Sequence, residues 1–272
     1  MSNTDPRPSL AAVGDNCVDV LHPAERRFIG GNALNVAVQF ARLEGRSSYF
    51  GAVGQDDDGA LTKGALERNG VDVRHLVRRQ LPTARTEIEV AANGERRIFL
   101  EDFGACAGYA PDEAAVSAIL SCDHVHIGWL DDGGALRRRL TAAGKSVSQD
   151  IAVNSSPENL GVEDLSIVFA SMDGAHALAA LLARSLFSEG ARGVVVMRGA
   201  RGSSVFMNGA EADIPALRTT PVDTTGAGDS YIAAFLHALL SGASPEVAGK
   251  RATAHAATTC MHEGGFPQEA GG

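Results

Sequence analysis

The stretch Asp223-Thr224-Thr225-Gly226-Ala227-Gly228-Asp229-Ser230 decides how this chain is read. It holds two glycines, a small residue and a carboxylate, and an apolar helical pattern follows at once. Glycines let backbone N–H groups converge, because no Cβ blocks the approach. A helix beginning there adds its own unpaired N–H groups and the positive end of its dipole. The pattern predicts an anion held beside a base, with Asp229 placed to take a proton from a hydroxyl that attacks a phosphate. The competing reading is an ordinary loop capped by Asp or Ser, both favoured at helix starts. Two other nucleotide motifs are excluded. A dinucleotide fingerprint needs a third glycine where Tyr231 stands. Gly144-Lys145-Ser146 imitates the end of a P-loop, but Arg139 occupies the place of its first glycine. It also lies after a helix and before a strand, the wrong order.

Composition narrows the class. The 272 residues are 44% hydrophobic and 21% charged, enough for one sizeable core. A net charge of −9 argues against a general nucleic-acid or anionic-membrane surface, so a phosphate-bearing substrate needs a local positive site. Cys17, Cys106, Cys122 and Cys260 are scattered, with no C-x-x-C pair. Neither a zinc site nor a disulfide framework is expected, and a reducing cytoplasm fits this usage. Met1 to Pro8 is polar and does not read as a signal peptide, and no apolar run approaches a membrane span.

The rest of the chain alternates strands and helices. Leu10 to Gly14 reads as a buried strand ending at a turn, with Asp15-Asn16 just past it. Gly30-Gly31-Asn32 opens a helix with Ala33, Val36, Ala37, Phe40 and Leu43 at helical spacing. Ser48 to Val53 is predicted as one strand, and Asp56-Asp57-Asp58 as a helix start ended by Asn69-Gly70. Thr83 to Glu101 differs: Thr86 to Val90 alternates, Asn93-Gly94 is a hairpin turn, and Arg97 to Leu100 returns. Such a ribbon is an excursion from a βα chain, either a lid or an interface, against the plainer reading of an edge hairpin. Further strands are predicted at Val125–Ile127, Ser146–Gln149, Ile167–Ala170 and Val194–Met197, with helices near 112–120, 135–143 and 174–187. A second ribbon surrounds Asn208-Gly209, two helices follow at 230–240 and 245–260, and the tail after His262 reads as loose. Repeated strand–helix units imply a mostly parallel sheet with helices on both faces. Asp15, Gly30-Gly31, Ser171, Gly199 and Gly226 to Asp229 then fall at or just past strand ends, where such sheets bind ligands.

Taken together, Gly30-Gly31-Asn32-Ala33-Leu34-Asn35-Val36-Ala37, Phe50-Gly51-Ala52-Val53-Gly54-Gln55-Asp56 and the Asp223–Ser230 stretch resemble the ribokinase or pfkB family of sugar kinases. The resemblance runs from Val13 to about Cys260. It implies one domain over residues 1–272, a ribokinase-like three-layer α/β/α sandwich, and a small β lid from about 16–29 and 83–102. It implies transfer of the γ-phosphate of ATP, with Mg²⁺, to a primary hydroxyl of a sugar. Asp229 matches the base, and Gly226, Ala227 and Gly228 supply amides to the phosphate. Asp15, Gly30, Gly31 and Asn35 match the sugar-holding positions. Gly199 and Gly202 match the nucleotide loop, which Arg198 and Ser171 flank, and His255 lies on the final helix within reach of an adenine or serves a structural role. A monovalent cation such as K⁺, a cytoplasmic location and a homodimer formed through the lid also accompany the family.

Gly14-Asp15-Asn16-Cys17-Val18-Asp19, the short spacing to Gly30, and Phe169-Ala170-Ser171 are similar to the fructoselysine 6-kinase branch, which phosphorylates a sugar–amine adduct. An acidic pocket of Asp15, Asp19, Glu101 and Asp102 would suit such an amine. The alternatives are another sugar (a ketohexose or 2-keto-3-deoxygluconate), a nucleoside, or a ligand-binding homologue with weak turnover. The sequence departs from the family in its length, being shorter than many members, and in two motifs. Met197-Arg198-Gly199-Ala200-Arg201-Gly202 keeps the glycines of Thr-x-Gly-x-x-Gly without its hydroxyl, leaving Arg198 or Arg201 to supply charge. Ser171-Met172-Asp173-Gly174 lacks the glutamate of Asn-x-x-Glu, so no metal ligand is assigned.

Overall fold

Apolar runs without alternation, such as Leu10-Ala11-Ala12-Val13 and Val194-Val195-Val196, suit strands covered on both faces. In a computed structural model that describes residues 5–90 and 96–268, they lie in the middle of a large sheet. The elements run β1 (Ser9–Val13), β2 (Cys17–His22), β3 (Arg26–Gly30), α1 (Asn32–Arg42), β4 (Arg46–Phe50), β5 (Ala52–Gly54) and α2 (Asp57–Arg68). Next come β6 (Val77–Arg79), β7 (Arg85–Val90), β8 (Arg96–Asp102), α3 (Glu113–Ser121), β9 (His124–Ile127), α4 (Ala135–Ala142) and β10 (Val147–Asp150). The chain closes with β11 (Ile167–Ser171), α5 (His176–Ser188), β12 (Gly193–Met197), β13 (Ser203–Met207), β14 (Ala210–Ile214), α6 (Ala227–Leu240) and α7 (Pro245–Thr259).

Eight strands pair in the order β14-β13-β12-β11-β10-β9-β1-β4. Only the β12–β13 and β13–β14 pairs are antiparallel. Successive residues on β12 go to opposite faces: Val194 and Val196 belong to the apolar layer that includes α3, α4 and α5, while Val195 and Met197 belong to the layer that includes α6 and α7. That is a three-layer α/β/α sandwich with a mostly parallel centre. Parallel strands put their carboxyl ends along one edge of the sheet, so Asp15, Asp150 and Gly199 emerge on the same side.

A second sheet has the order β3-β2-β7-β8. Its β7 and β8 are the ribbon expected from Thr83 to Glu101, and β2 pairs with β7 in parallel. The expected Asn93-Gly94 turn lies outside the described residues.

Three expectations are corrected. The single strand over Ser48–Val53 is two, with β4 in the main sheet and β5 paired to β6. The break falls at Gly51, where the Tyr49 hydroxyl folds back to donate to the Gly14 carbonyl at 2.8 Å. A Cβ on Gly51 would strike both groups. The last-but-one helix starts at Ala227, not Ser230, so the Ala-Gly-Asp triplet is its first turn. The tail after His262 is tied down over its described residues, 263–268. Phe266 is 1% exposed, Gln268 exchanges two hydrogen bonds with the backbone of Ile29, and Glu263 pairs with Arg26. Glycine-rich composition suggested looseness, but burial of one phenylalanine and these long-range bonds outweigh it.

Candidate active site

Helix α1 begins at a glycine. Gly31 occupies its N-cap with φ 107° and has no side chain to satisfy the first N–H groups. Asp15, just past β1, does so instead. Its Oδ2 accepts from the Asn32 N–H at 2.7 Å, and its Oδ1 accepts from Ala33 at 3.1 Å and from Trp129 at 3.0 Å. One carboxylate thus joins the ends of β1 and α1 to the loop after β9. Burial outweighs these donors and raises its pKa above the ordinary value. The Trp129 ring stacks on Phe103, just past the end of β8, with centroids 3.9 Å apart and planes 8° from parallel.

Helix α6 also begins at a glycine, Gly226, in the left-handed region with φ 71°. Asp223 shapes this entry: its Oδ1 accepts from the Thr225 N–H and hydroxyl, and its Oδ2 from the Gly264 N–H at 2.9 Å. Asp229 follows in the first turn and points toward α1. The amide of Asn32 donates to its Oδ1 and that of Asn35 to its Oδ2, both at 2.7 Å. Asn32 Nδ2 also donates to Asp150 Oδ2 at 3.1 Å. Burial is the main reason the pKa of Asp229 is pushed up to about 8. Its two asparagine donors pull it down, and the nearby carboxylates of Asp150 and Asp15 add to the rise. Burial likewise pushes Asp150 to about 6.

On the other side of the same turn lies a cavity of about 610 Å³. Ala227 and Gly228 line it beside Gly199 and Gly202, facing Thr253, Ala256, Ala257 and Cys260 of α7. A Cβ on Gly228 would meet only the Met197 thioether, and one on Gly199 would meet nothing within 4 Å. The volume suits a nucleotide-sized ligand, and bare glycine backbone at its wall suits phosphate oxygens. The first turn of α6 therefore separates this cavity from the Asp15–Asn32–Asp150 corner. A helix N-terminus between a ligand-sized cavity and a carboxylate of raised pKa is an arrangement for moving a phosphoryl group onto a hydroxyl.

A model of pfkB family carbohydrate kinases matches residues 11–268. The chain belongs to the pfkB family. It is 34% identical over 267 residues to fructoselysine 6-kinase of Escherichia coli strain K12, covering 95% of this chain and 99% of that protein. It is 30% identical over 253 residues to a nucleoside kinase of Methanothermobacter thermautotrophicus, covering 88% of this chain and 80% of that one. Its fold is that of Arabidopsis thaliana ribokinase, solved with ribose and ATP, at a TM-score of 0.85, 22% identity and coverage of 95% and 94%. This pfkB-family chain is a carbohydrate kinase, a phosphotransferase acting on an alcohol group. Among the described residues no helix is long and apolar enough to cross a membrane.

The expected site residues of this pfkB chain divide. Asp15, Gly30, Gly31, Asn35 and Asp229 gather at the α1–α6 corner, and Gly199, Gly202, Ala227 and Gly228 at the cavity. Four do not join them. Arg198 is buried, and its guanidinium pairs with Asp213 and the Ser203 carbonyl rather than turning to the cavity. Arg201 is held by Asp173 at 3.1 Å on the exposed surface. His255 faces a separate depression with His237 and Arg251, its Nε2 3.0 Å from Gln39 Oε1. Thr253, Ala256, Ala257 and Cys260 follow the i, i+3, i+4, i+7 stripe toward the cavity, which puts His255 on another face of α7. Ser171 is exposed at the end of β11 and does not line the cavity.

Asn32 and Asp150 were missed. A signal existed for the first: Asn32, Asn35 and Gln39 stand at i, i+3 and i+7 among apolar residues, and a buried polar stripe on one helix face needs partners. Among the described residues no group of three His, Cys, Asp or Glu side chains could hold a metal.

Proposed function

We propose that this kinase transfers the γ-phosphate of ATP to a primary hydroxyl of a sugar–amine adduct, with fructoselysine as the model substrate. The observation that carries the chemistry is the pair of asparagine amides, one on each oxygen of Asp229, beside the start of α6. Asp229 takes the proton of the attacking hydroxyl, and the amides of Gly226, Ala227 and Gly228 hold the phosphoryl group as it moves. Little covalent chemistry is needed, so positioning and exclusion of water dominate. The nucleotide lies in the cavity beside Gly199 and Gly202, and the sugar in the corner of Asp15, Gly30, Gly31 and Asn35. Magnesium carried by the nucleotide phosphates would supply positive charge to the moving phosphoryl group, since the described residues offer no cluster of three His, Cys, Asp or Glu to hold it. The lid sheet covers the sugar, and the Phe103–Trp129 stack fixes its exit strand to the loop held by Asp15.

Two observations support the amine. The relative at 34% identity over nearly the whole chain is named for such a substrate. Across the lid, Asp19, Thr86 and Glu101 are in register on neighbouring strands, which sets two carboxylates on one side of the sheet. An ADP-release assay over fructosamines, ketohexoses, 2-keto-3-deoxygluconate and nucleosides tests this. Fructoselysine is expected to give the highest kcat/KM, by roughly tenfold or more. A higher value for a nucleoside or an amine-free sugar rejects the acceptor while leaving the phosphoryl-transfer reading intact.

The lid also supports a homodimer. Ile98, Phe99 and Leu100 on its edge strand β8 are each more than half exposed, at 58%, 56% and 51%. Sedimentation is expected to give twice the chain mass, and Phe99→Glu to return it to one chain. Two chain masses for both proteins would place the contact elsewhere, and one chain mass for the unmodified protein would reject the dimer.

A further inference from the structure

The middle of the large sheet carries a polar line that no step above uses. β9 reads His124-Val125-His126-Ile127, and β10 with its preceding residue reads Ser146-Val147-Ser148. The two strands are parallel, with His126 opposite Ser148, so both histidines and both serines share one face. His124 is 2% exposed, and His126 and Ser148 are fully buried. Central parallel strands are normally apolar on both faces, because a buried polar group without a partner is costly. Here each group has a partner. His124 Nδ1 is 2.8 Å from Ser146 Oγ, and its Nε2 is 2.9 Å from Ser148 Oγ. His126 Nδ1 is 2.9 Å from the same Ser148 Oγ, and its Nε2 is 3.3 Å from Asn32 Oδ1.

The far end sets the direction of every bond. Both amide hydrogens of Asn32 go to carboxylates, Asp229 and Asp150, so its Oδ1 must accept. His126 then donates from Nε2, and its Nδ1 must accept the Ser148 hydroxyl proton. Ser148 Oγ in turn accepts from His124 Nε2, and His124 Nδ1 accepts from Ser146. Burial pushes both imidazoles down to about 3, which keeps each neutral, with one donor and one acceptor.

We infer that the Ser146–His124–Ser148–His126 chain is a positioning device for the phosphoryl-transfer site, holding the Asn32 amide so that its hydrogens face Asp229. This rests on the reading of Asp229 as the base. An asparagine amide can turn over. If Asn32 did so, its oxygen would face Asp229 and would disfavour the ionised form that a base requires. His126 opposes that flip, because a turned Asn32 would set an N–H against the imidazole N–H. The other groups facing this corner are Asp15, Asp150 and Asn35, and the Phe169 ring lies edge-on to His126 at 6.0 Å. Lys145 approaches the distant His124 end. His126 touches no reacting atom and acts only through Asn32.

Three measurements test the chain. His126→Phe keeps a ring without a donor and is expected to lower kcat roughly ten- to a hundredfold. Its KM for ATP should hold, while the acid limb of kcat/KM moves up by about one pH unit as the ionised base is disfavoured. His126→Gln retains an N–H that reaches Asn32 and should restore most of the rate and the original limb. ¹⁵N spectra of the histidine side chains of the unmodified enzyme should show His126 and His124 neutral and protonated on Nε2 from pH 5 to 9. An unmoved acid limb in a folded His126→Phe enzyme, a glutamine variant no better than phenylalanine, or a proton on Nδ1 of His126 would each overturn the inference. The spectra decide the chain's direction even where Asp229 proved not to be the base, and they need no variant to fold.

Discussion

Asp229→Asn is expected to lower kcat by roughly 10²–10⁴-fold, the contribution of a well-placed base, with the KM for ATP unchanged. The same substitution is expected to raise the melting temperature. The carboxyl has a folded pKa of about 8 against an ordinary value of 3.8. Between these values the folded chain keeps a proton that the unfolded chain has lost. Stability therefore falls as pH rises through that window, and the loss is complete above about pH 8. Asparagine carries no such penalty, and Asn35 can turn its amide to present Oδ1, which has no hydrogen-bond partner at present. Because Asp229 is only half-buried, the gain at pH 8 is taken as on the order of 1 kcal/mol, or about 2–4 °C. It should vanish near pH 4. The unmodified enzyme should show kcat/KM rising from pH 6 and levelling above about pH 8, as the base loses its proton. Near-normal turnover in the asparagine enzyme, or a flat profile, would remove Asp229 from the mechanism. An active site that costs stability is a common bargain in enzymes.

Much of this architecture is legible in residue order because local rules decide it. Asp56 and Asp112 cap the helices they precede, each accepting from an N–H three residues on, and Ser244 does the same before Pro245. The strand runs are apolar because both faces are covered, and glycines mark the turns at Gly31 and Gly226. What was not legible depends on partners far along the chain. Arg198 looks like a nucleotide contact from its neighbours Gly199 and Gly202, yet Asp213 across the β13–β14 hairpin captures it. Gly264, Gly265 and Phe266 look like a loose end until Asp223, Gln39 and the core close on them. Ser148 and the two histidines make sense only once β9 lies beside β10 and Asn32 sits above them. Local composition says little about bonds that cross 15, 41 or 94 residues of chain.

Gly226→Ala is expected to be the other damaging substitution, and its neighbour Gly228→Ala the informative contrast. Gly226 has φ 71°, a conformation that strains any other L-residue by roughly 1 kcal/mol or more. A Cβ there would also overlap the Cα of Gly265. Rotation of a side chain cannot relieve that contact, because both partners are backbone. Nor can the tail readily retreat: Gly264 donates to Asp223, Gln39 donates to the Gly265 carbonyl at 2.6 Å, and Phe266 is buried. The N-terminus of α6 must then shift, and Asp229 with it, away from Asn32 and Asn35. A loss of about 2–4 kcal/mol in unfolding free energy and of roughly a hundredfold in kcat is expected. Gly228 lies within the first turn of α6 and meets only the Met197 thioether at 3.7 Å. Alanine there gains helix propensity, worth up to about 1 kcal/mol, and places a methyl group in the wall of the cavity. Its signature is an equal or higher melting temperature with a raised KM for ATP. Denaturant titration and steady-state kinetics on the two proteins separate them. Matching behaviour from both alanines would mean that the tail does not brace the turn that carries Asp229.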